Sequence, residues 1–133
     1  MNRLEHIGIA VNSLATSIPL FEKLLNSQHY KKESVPSEQV KTAFFFEGIT
    51  KLELIEDLRP EGIIARFIQK KGEGLHHIAF EVEDIHAEMI RLKSEGFVLL
   101  SEEPRKGADN KLVCFLHPRD TNGVLIELVM ENR

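Results

Sequence analysis

The chain has 133 residues, 42% of them hydrophobic and 29% charged, enough for one compact soluble core and neither a disordered nor a membrane-embedded composition. A formal charge of -4, from 17 basic and 21 acidic residues, defines no partner, and the absence of a basic stripe interleaved with aromatics disfavours nucleic acid. Cys114 is the sole cysteine, which excludes an internal disulfide. Its apolar surroundings make it a buried thiol rather than a nucleophile. No charged segment followed by an apolar run opens the sequence, so a cytoplasmic protein is the expectation.

In chain order, residues 2–11 read as a strand with His6, Gly8 and Ala10 on one side and Ile7, Ile9 and Val11 on the other. Asn12 or Ser13 then caps a helix whose face carries Leu14, Ile18, Phe21, Leu24 and Leu25, with Pro19 predicting a late start or a kink. A polar edge strand over 28–35 stops at Pro36. Residues 40–47, with three consecutive phenylalanines, form a strand covered on both faces, and Gly48-Ile49-Thr50 turns into another over 51–57. Arg59-Pro60-Glu61 opens a helix reaching Lys71, with Ile63, Ile64, Phe67 and Ile68 as its apolar set.

The order then repeats. A strand over 75–82 precedes a helix over 85–94, capped by Asp84, faced by Ile85, Met89 and Leu92 and closed by Gly96. Strands over 97–101, 111–117 and 123–130 follow. We therefore expect a single domain, 1–133, with module one at about 1–58, a helical linker at about 59–73 and module two at about 74–133.

Each half supplies one histidine on its first strand and one glutamate on its last, all in apolar sequence: His6 with Glu53, and His77 with Glu127. The histidines are 71 residues apart and the glutamates 74, and a longer loop around 106–110 is expected to absorb the difference. Small residues beside each histidine leave a concavity in front of the imidazole. A charged glutamate between aliphatic neighbours needs a partner if it is enclosed. Folding the halves about a pseudo two-fold would bring the four side chains together as a shell for one divalent cobalt, nickel, zinc or manganese ion. Packed or solvated polar residues are the plainer alternative for any one of them. His76 points away from His77 and is expected to be packed, His29 and His86 to be solvated, His117 to buttress a turn, and Glu102-Glu103 to be loop surface.

The stretches His6 to Val11, Gly72 to Ile85, Glu102 to Arg105, Phe115 to Pro118 and Gly123 to Leu128 resemble the vicinal oxygen chelate superfamily, which includes glyoxalase I, extradiol dioxygenases and fosfomycin resistance proteins. Within it the chain is most similar to methylmalonyl-CoA epimerases. The resemblance implies an α+β fold of two tandem βαβββ modules forming a cupped mixed sheet around a metal site. His6, His77 and Glu127 match the ligand positions, and Glu53 a fourth position that is Gln or Glu. It also implies a homodimer acting on a small acyl-CoA, with epimerisation by proton transfer at the carbon alpha to the thioester. Glu127 is the leading proton carrier and Glu53 the second, because Thr42 occupies the place where some epimerases carry another glutamate. A glyoxalase I type lyase acting on a thiol hemithioacetal and a protein that binds a small antibiotic are the alternatives. Arg105, Lys106 and Lys111 are plausible contacts for CoA phosphates.

Overall fold

The computed structural model describes residue 1 and residues 3–132; Asn2, included in the predicted first strand, lies outside the described residues. Among the described residues, eight strands and three α-helices give the expected α+β class. The described residues divide into two compact units, one of residues 6–76 and the other of residues 1, 3–5 and 77–132.

In the first unit, β1 (Arg3–Ala10) leads to α1 (Leu14–Leu25), β2 (Lys31–Val35), β3 (Val40–Glu47), β4 (Thr50–Asp57) and α2 (Ile63–Lys71). The strand order is β2-β3-β4-β1, with β1 parallel to β4 and the hairpins antiparallel. Period-two alternation sorts the side chains. Ala43, Phe45, Leu54 and Val11 pack with Leu14 and Ile18 of α1, leaving His6, Glu53 and Phe44 on the other face.

Helix α1 runs unbroken through Pro19, against the expected late start or kink. Ser13 occupies the N-cap position without a side-chain bond; Leu14 N–H donates instead to Glu56 Oε1 at 2.7 Å. Leu24 is 70% exposed, contrary to its predicted place on the buried face. At about 100° per residue it falls some 80° from the line of Leu14, Ile18, Phe21 and Leu25. His29 is not simply solvated: its Nδ1 donates to Glu22 Oε2 at 2.8 Å and its backbone N–H reaches the same oxygen. The ring's hydrogen bond holds the Glu22 carboxyl below its usual pKa.

The second helix starts later than predicted. Asp57 is the reason, since its carboxylate accepts from Arg59 N–H and Ala65 N–H, both at 2.9 Å, and satisfies the helix start from eight residues upstream. Ile63 lies at the first turn, 64% exposed, and Ile64 carries the buried contact. A Cβ on Gly62 would collide with the Asp57 carboxylate. Gly62→Ala should therefore displace the cap and cost about 1–3 kcal/mol, measured as a lower denaturation midpoint; an unchanged midpoint would refute this role for Asp57.

In the other unit, β5 (Gly74–Glu81) leads to α3 (Ile85–Ser94), β6 (Arg105–Lys106), β7 (Lys111–Leu116) and β8 (Ile126–Glu131), in strand order β5-β8-β7-β6. Asp84 caps α3 as expected, accepting from Ala87 N–H at 3.1 Å, and Ile85, Met89 and Leu92 are buried against Cys114, Leu116 and Leu128. Gly96 ends the turn after the helix at φ 98°, a conformation that favours glycine. The strand predicted over 97–101 is reduced to one bridge, Leu99 with Leu116. The second strand of this module is instead the short β6, at the start of the segment predicted as loop, where Arg105 and Lys106 pair with Val113 and Leu112.

The extra three residues also lie elsewhere than predicted. Phe44 follows His6 by 38 residues and faces Glu53 across the sheet, and Phe115 follows His77 by 38 and faces Glu127. The halves keep step to that point. Between β3 and β4 stand only Gly48 and Ile49, whereas residues 117–125 separate β7 from β8 and carry a single 3-10 turn, Pro118–Thr121. The insertion is in that connection. His117 buttresses it as expected, with Nδ1 accepting from Arg119 N–H at 3.2 Å.

Candidate metal centre

In parallel strands β1 and β4, Gly8 lies opposite Glu53, two residues beyond His6; in β5 and β8, Ala79 lies opposite Glu127, two residues beyond His77. The same register thus recurs. A small residue opposite each carboxylate lets the glutamate lean diagonally to the histidine without a side chain in its path. Within the first unit, His6 Nε2 stands 3.3 Å from Glu53 Oε1. Within the second, His77 Nε2 stands 3.2 Å from Glu127 Oε1. All four residues are buried, at 5–6% exposure.

Both imidazoles present Nε2 to a carboxylate oxygen. Two donors bound to one ion at about 2.1 Å, at angles between octahedral and tetrahedral, stand about 3.0–3.4 Å apart. Each pair meets that spacing, which also suits a hydrogen bond. An imidazole and a carboxylate are donors with the charge and the borderline softness that a first-row divalent ion takes. The residues present therefore fit a metal.

Phe115 packs edge-on against His77, ring centroids 5.6 Å apart, and limits the tilt of that imidazole. His76 packs against Phe67 at 4.9 Å, as expected of the residue on the opposite side of the strand. Thr42, paired with Ile55 next to the Phe44–Glu53 pair, shares the face of Glu53 and is 1% exposed. Its Oγ1 has no hydrogen-bond partner among the described residues. A hydroxyl does not ionise near neutrality, so Thr42 brings no second base.

Lys111 is not a solvent-facing phosphate contact: it is 8% exposed, with Nζ 3.2 Å from Glu131 Oε1. Arg105 and Lys106 are exposed on β6, as are Glu102 and Glu103 beyond it and His86 on α3. Burial pushes the Cys114 thiol up in pKa, which keeps it protonated and unreactive as the sequence predicts. The sequence reading set Phe46 in a strand covered on both faces, whereas it is 50% exposed at the end of β3. Alternation with Phe44 was the signal available, since it sets both rings on the face of Glu53.

No helix among the described residues is long and apolar enough to cross a membrane. Residues 5–115 match the family model for the glyoxalase/bleomycin resistance protein/dioxygenase superfamily. An uncharacterized protein of Bacillus subtilis, YqjC, is 43% identical, over 96% of this chain and 91% of its own. The ethylmalonyl-CoA/methylmalonyl-CoA epimerase of Cereibacter sphaeroides is 41% identical, over 96% and 97%. Among solved structures, a variant of Streptomyces coelicolor methylmalonyl-CoA epimerase in complex with 2-nitronate-propionyl-CoA superposes with a TM-score of 0.93 at 31% identity, covering 100% of this chain and 99% of that one. A chain with this repeat, this fold and these relatives belongs to the glyoxalase/bleomycin resistance protein/dioxygenase superfamily, in the group that holds the methylmalonyl-CoA epimerases.

Proposed function

We propose that this protein is an isomerase that interconverts the two epimers of methylmalonyl-CoA, with one divalent metal ion held by His6, Glu53, His77 and Glu127. The observation that carries the reading is the duplicated pair, a buried imidazole and a buried carboxylate 3.2–3.3 Å apart at the same register position in each half. A bound ion supplies a Lewis acid that offsets negative charge developing on the thioester oxygen. The imidazoles hold their place through sheet burial and, at His77, through Phe115.

Glu127 is assigned the proton at the carbon alpha to the thioester, removing it from one face. Glu53, its counterpart in the other half, is assigned the return of a proton to the opposite face. Epimerisation needs two such carriers, and Thr42 offers none. The apolar residues around the carboxylates, among them Ala79, Val113 and Val129, keep the reacting carbon away from bulk water. We assign the reaction to the cytoplasm and to a homodimer, the latter to be checked by sedimentation.

The test follows loss of the alpha proton of methylmalonyl-CoA in deuterium oxide, beside a parallel assay with methylglyoxal and a thiol. Turnover of the CoA ester is expected. Activity confined to methylglyoxal would replace this reading with that of a thiol-dependent lyase, and activity on neither would remove both.

A further inference from the structure

We infer that Phe46 and Tyr30 form a binding platform for the pantetheine arm of an acyl-CoA, a reading that rests on the epimerase proposal above. Phe46 is 50% exposed and Tyr30 44% exposed, yet the two rings stack with centroids 4.7 Å apart and planes 26° apart. Lys51 Nζ stands 5.9 Å from the Phe46 centroid and adds a cation contact to the ring. The aromatic surface is thus both exposed and held in place. Ile49, in the adjoining turn, is likewise exposed, at 70%.

Register gives its distance from the candidate metal centre. Phe46 lies opposite Lys51, and Lys51 lies opposite His6, so Phe46 and His6 share one row and one face of the sheet. Two strand spacings separate them, about 10 Å. In the pantetheine arm the carbon bearing two methyl groups stands about ten bonds beyond the thioester sulfur, roughly 10–12 Å when extended. A thioester seated at the His6–Glu53 pair would therefore bring that branched, apolar carbon over the Phe46 ring.

The experiment compares three methylmalonyl thioesters, of CoA, of pantetheine and of N-acetylcysteamine, the last ending before the branched carbon. Phe46→Ala should lower kcat/KM about tenfold for the CoA and pantetheine esters and leave the N-acetylcysteamine ester unchanged. Phe46→Leu, which keeps an apolar surface, should recover most of the loss. Thermal melts and sedimentation accompany each variant. An equal loss on all three esters, with or without a change in oligomeric state, would overturn the platform, as would no loss on any. Failure of the unsubstituted protein to turn over any of the three would instead sink the epimerase reading, and the platform with it.

Discussion

Glu127→Gln should slow exchange of the alpha proton with solvent by about three orders of magnitude, within the range by which a positioned acid or base contributes to a proton transfer. Glutamine keeps the shape of glutamate and can still face His77, but it cannot carry the proton assigned to Glu127 and is a weaker donor to the proposed ion. The fold should survive. Ile85, Met89, Leu92, Cys114, Leu116 and Leu128 form that unit's principal core on the opposite face of the sheet from Glu127, so a thermal melt should move little. Mass spectrometry of substrate recovered from deuterium oxide is the direct readout. Exchange at the unsubstituted rate would remove Glu127 from the mechanism. Glu53→Gln provides a companion measurement, and if each carboxylate serves one face, the two variants should differ in which epimer still exchanges.

Stripping the protein with a chelator should abolish epimerisation and lower its melting temperature, with recovery of both on addition of a divalent ion. The thermal effect follows from linkage: an ion present at about a thousand times its dissociation constant stabilises the folded state by about 4 kcal/mol, roughly 15 °C for a chain of this size. Secondary structure should persist, because the apolar clusters under α1 and α3 include none of the four candidate ligands. Circular dichroism and elemental analysis check both statements. A protein shown to be metal-free and still fully active would refute the metal proposal.

The readable parts of the sequence were those set by local chemistry. Asp84 three residues before Ala87 specifies a cap, and Ile85, Met89 and Leu92 specify a face, so α3 was legible to the residue. Alternation likewise set His77 apart from His76 and put each glutamate in a buried strand position. Misreadings arose where a distant group decided. Asp57 moves the start of α2 by satisfying Ala65 through space, which the helix-favouring Pro60 concealed. Glu22 draws in His29 across a helix end. The position of the three-residue insertion depends on pairing between β7 and β8, which spacing alone does not report.

That insertion bears on the order in which the halves assemble. β3 and β4 close over a two-residue turn, with Gly48 at φ 64° supplying the backbone conformation that such a reversal needs. β7 and β8 pair with the same antiparallel geometry only after nine residues have been gathered into a loop. Closing the longer loop costs more chain entropy, so the hairpin carrying Glu53 forms from more local contacts than the one carrying Glu127. The two hairpins are thus reached by routes of unequal contact order, and the one bearing Glu127 is expected to close later.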